Sequence, residues 1–342
     1  MLKNKISRAA DQLALNLKGK VVLTEAATGA YVVTPILAAL AGAEVFAFTK
    51  NTRYGTVEQV SKLTLDLASQ FDKELSITVI DKLTPEIIAK ADIITNSGHL
   101  RPLNKELLQY AKKGAVIPLM YEAWERRDAD LDLSYCREQN ILLGATNERH
   151  PDVDVFNYLG DMALKMIFDV GECPYNNKFL LVCNNDFGPY IAKVLSKVCY
   201  KLGVCDEASR QKDYDGMGID WIGNFPDFVI PDDYRDATVI FTAHPFEKSW
   251  IGDEGEPIST SKITSQLNAP LVLRYAGDIN EDSCKDKFKY YPQHVSSGHM
   301  GILPSAIGYD PIIRLQAGGL KAGELLLRKE SHYRDILLAE YI

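Results

Sequence analysis

None of the six cysteines, at positions 136, 173, 183, 199, 205 and 284, forms a Cys-x-x-Cys pair. That excludes a zinc ribbon and a dithiol redox motif, and the cysteines read as small hydrophobes. No apolar run approaches the ~20 residues a membrane helix requires, so no membrane partner is expected. Met1 to Lys20 has amphipathic helical spacing (Ile6, Ala9, Leu13, Leu17) and no signal-peptide core, from which a cytoplasmic location is expected. Basic residues are outnumbered: 38 Lys and Arg stand against 46 Asp and Glu, a formal net charge of -8. A nucleic-acid partner is therefore not expected. His294 and His299 lack a neighbouring carboxylate cluster, so no metal site is expected either. Missing too is the fingerprint Gly-x-Gly-x-x-Gly at either place where the chain looks built for a nucleotide.

The first such place is Gly19 to Arg53. Val21-Val22-Leu23 is a short apolar run, Ala26 to Ala30 a small-residue turn around Gly29, and Val32 to Ala41 an alanine-rich helix closed by Gly42. Glu44 to Phe48 is a second buried strand, which completes half of a Rossmann unit. Glu25, Ala27 and Ala30 stand about where the glycines would be. Strand and helix patterns then alternate to Leu143, and a long helix spans Val153 to Val170. A second unit starts with strand Phe179 to Cys183 and turn Asn184 to Pro189; Ile312 to Lys329 is a closing helix interrupted by Gly318-Gly319. The segment from Cys205 to Asp233 has no secure assignment. The fold class expected is α/β: two Rossmann-like, doubly wound parallel-sheet domains with a cleft between them, covering residues 1–172 and 173–342.

Polar clusters follow the strands. Lys50 and Arg53, with no acid after the second strand, suit a 2′-phosphate and so NADP; the alternative is two solvated basic side chains. Thr28, Gly29 and Ala30 would line the same cofactor. Asn96, Ser97, His99 and Arg101 share one turn, with Asn96 and Ser97 assigned to cofactor, His99 to proton transfer and Arg101 to substrate. A polar turn satisfying its own backbone is the competing reading. Glu122 and Trp124 follow the next strand as substrate candidates, and Asn147-Glu148-Arg149-His150 is a fourth cluster. In the second half, His244 is a substrate candidate, while Arg274 with His294 suits hydride chemistry on a 2-oxo acid.

Two stretches resemble the D-2-hydroxyacid dehydrogenase superfamily, which includes formate/glycerate dehydrogenase-like proteins and, more distantly, adenosylhomocysteinase. One is Leu131 to Lys165, LDLSYCREQNILLGATNERHPDVDVFNYLGDMALK. The other is ATVIFTAHPFEKSWIG, then LVLRYAGDIN with Arg274, Gly277 and Asp278 in matching places, then YYPQHVSS with His294 matching. The family's glutamate between arginine and histidine has no properly spaced counterpart; Glu281 lies close to Arg274. Helix and "LKGKVV" at the start resemble the entry to an adenosylhomocysteinase-like NAD domain. The resemblance implies an NAD- or NADP-dependent oxidoreductase acting on a small carboxylate or carbonyl metabolite, as a homodimer. Two alternatives stand beside it: a Rossmann-like protein that binds no dinucleotide, and an adenosylhomocysteinase-like hydrolase or lyase.

Overall fold

A computed structural model describes all 342 residues. The chain divides into two compact units, one of residues 1–155 with 308–342, the other of residues 156–307.

In the first unit, α1 (Leu2–Gln12) precedes β1 (Val21–Glu25), α2 (Val33–Leu40), β2 (Glu44–Phe48), α3 (Val57–Ala68) and β3 (Ile77–Ile80). Next come α4 (Pro85–Lys90), β4 (Ile93–Ile94), α5 (Lys105–Leu108), β5 (Val116–Leu119), α6 (Leu133–Glu138) and β6 (Leu142–Thr146). The sheet runs β3-β2-β1-β4-β5-β6, all parallel. This is the 3-2-1-4-5-6 order of a nucleotide-binding fold, and the order reverses between β1 and β4. Residues Val33 to Ala39 of α2 are all buried, so its small and aliphatic side chains lie flush in the layer. Pro35 is tolerated because the first turn has no i−4 bond to lose.

The second unit holds α7 (Leu159–Asp169), β7 (Lys178–Cys183), α8 (Phe187–Leu195), β8 (Lys201–Asp206), β9 (Asp220–Asn224) and β10 (Thr238–Thr242). It continues with β11 (Ser249–Gly252), β12 (Ile258–Ser259), α9 (Thr260–Gln266), β13 (Leu271–Ala276), β14 (Asp278–Ile279), α10 (Glu281–Cys284) and β15 (Lys289–Tyr291). Its main sheet is β9-β8-β7-β10-β13-β15, parallel throughout, so the same strand order occurs twice. A small sheet of β12, β11 and β14 flanks it. The segment 205–233, unassigned from sequence, contains the end of β8, a 3₁₀ turn (Ala208–Tyr214) and β9. The second nucleotide fold is therefore complete rather than broken at Cys205.

Gly308 returns the chain to the first unit. There α11 (Asp310–Arg328) is continuous, followed by the hairpin of β16 (His332–Tyr333) and β17 (Ile336–Leu337) and by β18 (Ala339–Tyr341), antiparallel on β6. The expected boundary at residue 172 thus differs from the observed division, and the closing helix belongs to the first unit. Gly318 and Gly319 do not interrupt it. A Cβ on Gly319 would stand 2.5 Å from Met120 Sδ and one on Gly318 2.8 Å from Val153 Cγ2, so the missing side chains let α11 lie against the sheet. Each unit has its own apolar clusters; fully buried Ile36, Leu37, Ile312 and Leu320 belong to the first, Ile191, Leu195 and Leu273 to the second. At roughly 1.5–3 kcal/mol per buried aliphatic side chain, such clusters dominate the stability of each unit. No helix is long and apolar enough to cross a membrane.

Candidate functional site

In the first unit the chain leaves β1 at Glu25 and β4 at Thr95, on the two sides of the reversal. Glu25 is buried, and its Oε2 accepts the His99 N–H at 3.2 Å. Burial pushes this carboxyl above its ordinary value, against the lowering effects of that hydrogen bond and of Arg101. Thr95 Oγ1 donates to Thr24 Oγ1 at 2.9 Å and lies 2.8 Å from Ser97 Oγ, which ties the two strand ends together. Asn96 is fully buried; its Oδ1 accepts from Arg101 Nε at 2.8 Å, while its Nδ2 has no partner. Arg101 also donates to the Asn96 carbonyl, pairs with Asp130 at 3.6 Å and lies over the Tyr121 ring. It is thus largely engaged by the protein, which fits positioning better than a free substrate clamp. His99 is lowered by burial and by the charge of Lys50.

The ends of β5 and β6 add carboxylates. Glu122 Oε1 accepts the Glu148 N–H at 3.1 Å and its Oε2 accepts from Trp124 Nε1 at 3.0 Å, with Arg149 3.8 Å away. Glu125 Oε1 accepts the Glu122 N–H at 3.2 Å. Burial raises all three: Glu125 to about 7 and Glu148 well above the ordinary range, each pushed further by the neighbouring carboxylates, and Glu122 against the lowering effect of Arg149. Burial, then the charges of Glu25, Glu148 and Glu125, raise the Tyr31 phenol to about 12, so Tyr31 shares this environment. His150 is occupied elsewhere: its Nδ1 accepts the Asp152 N–H, so Nε2 donates to the Tyr333 carbonyl at 2.9 Å.

Between β1 and α2 the turn is open. The N–H groups of Thr28, Gly29 and Ala30 at the helix start find no protein acceptor. Gly29 has φ +62°, and a Cβ there would meet nothing within 4 Å. Unfilled amides at a helix start favour an anion. Lys50 is exposed after β2, while exposed Arg53 donates to Tyr54 Oη at 2.5 Å and stacks on that ring.

His244, Arg274 and His294 lie in the second unit. Exposed His244 is held by its backbone: its N–H donates to Asn184 Oδ1 and its carbonyl accepts from Asn184 Nδ2. Arg274 is buried, with Nε donating to the Gly277 carbonyl (3.2 Å), Nη1 to Glu281 (2.8 Å) and Nη2 to Asp278 (2.9 Å). Glu281 also reaches His294 Nδ1 at 3.5 Å. Spacing along the chain gives arginine and histidine no shared glutamate, whereas in space Glu281 touches both, because the short α10 turns it back. Arg274 is nevertheless consumed by internal acceptors, and the His294 side chain is 92% exposed.

Sequence reasoning did not select Glu25, Tyr31 or Glu125 as site residues, and named Glu148 only as part of the fourth polar cluster. The available signal was a carboxylate ending an apolar strand, where burial without a cation is costly.

No family model matches the chain, and no curated protein does. Both units define the class by their fold: a two-domain chain with the 3-2-1-4-5-6 parallel order of a nucleotide-binding fold in each. Among solved structures, the A chain of dipicolinate synthase from Bacillus subtilis is similar with a TM-score of 0.58 and 12% identity, over 92% of this chain and 99% of that one. NAD-dependent formate dehydrogenase from Staphylococcus aureus, in complex with NAD, is similar with a TM-score of 0.51 and 13% identity, over 94% and 99%. These are likenesses of fold, and the second agrees with the formate dehydrogenase-like resemblance read from the sequence.

Proposed function

We propose that this chain is an NAD(P)-dependent oxidoreductase acting on a small carboxylate or carbonyl metabolite, with the cofactor's phosphates on the open turn of the first unit. The carrying observation is the set of unfilled Thr28, Gly29 and Ala30 amides beside the reversal of a 3-2-1-4-5-6 sheet. Fold likeness to an NAD-bound formate dehydrogenase supports the coarser reading. The turn fits a phosphate: it has donors, space above Gly29 and Lys50 nearby in the electrostatics of His99. The nicotinamide, when bound, supplies or accepts hydride. His99, lowered by burial, exchanges a proton with a substrate oxygen, and Glu25 fixes its backbone. Lys50 and Arg53 favour the 2′-phosphate of NADP. Calorimetric titration of the purified protein with NADPH and NADH tests this; absence of both heat and a melting shift at millimolar cofactor sinks it.

A second reading is a Rossmann-like protein that binds a different, cationic small ligand. Glu122, Glu125 and Glu148 favour it, since they face one another with Arg149 as the cation lowering both Glu122 and Glu148. NADP(H) co-purifying in stoichiometric amount eliminates it. Turnover without net change in nicotinamide absorbance would instead favour the hydrolase or lyase alternative.

A further inference from the structure

A dinucleotide is held at two places in this kind of fold. Helix-start amides take the pyrophosphate, and an acid at the end of the second strand, about 20 residues on, takes the ribose hydroxyl. By position the second unit has both: the turn Asn184–Asp186 before α8, and Asp206 ending β8. Each is already occupied by the chain itself. Fully buried Asp206 accepts the Tyr214 hydroxyl on Oδ2 at 2.6 Å, and its Oδ1 accepts the Glu207 N–H at 2.7 Å. The Tyr214 hydroxyl lies 3.4 Å from Cys183 Sγ, and the Tyr214 ring packs beside Trp221 at 6.0 Å. Gly188, the one glycine between Asn184 and Pro189, makes room for this phenol: a Cβ there would stand 2.2 Å from the Tyr214 hydroxyl and 2.7 Å from Cys183 Sγ.

The helix start is filled in the same way. The Phe187 N–H donates to Asn185 Oδ1 at 3.1 Å, and Gly188 N–H to the Asn185 carbonyl at 3.2 Å. Asn185 Nδ2 reaches across the strand reversal to Thr242 Oγ1 at 3.0 Å, and the two Asn184–His244 bonds span the same gap. Asp186 adds a carboxylate at the helix start, paired with Arg210.

We infer that the second unit is a nucleotide fold filled by its own side chains and holds no dinucleotide: the Tyr214 hydroxyl stands in for a ribose hydroxyl on Asp206, and the Asn185 amide oxygen for a phosphate oxygen on α8. A dinucleotide would have to extract a buried phenol from a charge-assisted hydrogen bond and break the amide bridges across the reversal. This conclusion is independent of what the first unit binds.

Hydrogen–deuterium exchange of the full-length protein tests it, with and without millimolar NAD⁺, NADH and NADPH. The expected result is unchanged exchange across 183–190 and 206–217 with every cofactor. Slowing across those segments in the wild type overturns the inference. Slowing confined to 26–32 supports it together with the proposed function. No slowing anywhere supports it while removing the cofactor reading of the first unit. In the double variant Tyr214→Ala/Asn185→Ala, which empties both places, ADP-ribose is expected to slow exchange across 183–190 at least about tenfold; a folded variant that gains no such protection overturns the roles given to Tyr214 and Asn185. Should that variant unfold, Tyr214→Phe removes only the hydroxyl that fills Asp206 and is expected to lower the urea midpoint by leaving that buried carboxylate oxygen without its donor; an unchanged midpoint would overturn the role given to the hydroxyl.

Discussion

Gly98 stands directly against Glu25: a Cβ on Gly98 would lie 1.5 Å from the Glu25 Oε2 that accepts the His99 N–H. The glycine, at φ +30°, therefore holds open the place that the buried carboxylate fills. Gly98→Ala is expected to destabilise the protein by about 1–3 kcal/mol through overpacking, read in urea melts, and to weaken whatever ligand the first unit binds. A variant as stable as the wild type would mean that Glu25 moves freely, and would remove it from the site.

The buried carboxylates fix the sign of a pH dependence. Glu25, Glu122, Glu125 and Glu148 all have raised values in the folded state, Glu125 moving from 4.5 to about 7. Between the unfolded and folded values the folded chain holds more protons, so their contribution to stability falls as pH rises through that window. The loss of stability between pH 5 and pH 8 is expected to be smaller in Glu125→Gln and Glu148→Gln than in the wild type. Identical slopes in wild type and variants would place these side chains in water.

Cofactor choice rests on two exposed cations. Replacing Lys50 and Arg53 together by alanine is expected to weaken NADPH about tenfold, roughly 1.4 kcal/mol, and NADH by less than about twofold. Equal weakening of the two cofactors would show that neither residue meets a 2′-phosphate.

Arg274 is engaged by Asp278, Glu281 and the Gly277 carbonyl. Arg274→Met strands the buried Asp278 carboxylate, and a loss of about 3–5 kcal/mol in urea unfolding is expected. Unchanged stability with lost turnover would instead return Arg274 to the role of a substrate clamp.

The doubly wound class was legible because Val21–Leu23, Glu44–Phe48 and Phe179–Cys183 are apolar runs followed by helical periodicity, a local signal. The ownership of α11 was not, since nothing local distinguishes a helix that packs on β5 and β6 from one that closes the unit before it. Gly318-Gly319 misled for a related reason: the sequence reports a low helix propensity, whereas tight packing on Met120 and Val153 overrides it. The turn at Gly29 and the polar cluster Asn96–Arg101 were legible as strand-end segments from their position after apolar runs. Glu25 was read as a defect in a glycine pattern, and its burial beside His99 depends on β4, some 70 residues away. Glu281 was discounted on chain spacing that α10 makes irrelevant.

The return of the chain at Gly308 has a consequence for synthesis. Residues Ile312, Ile313, Leu320, Leu325 and Leu326 fill the core of the first unit, yet they leave the ribosome after all of residues 156–307. The N-terminal sheet must therefore wait with an uncovered apolar face while an entire inserted unit, complete in itself, emerges and folds. Chains stalled before residue 310 are the species in which that face is exposed to aggregation or to chaperones.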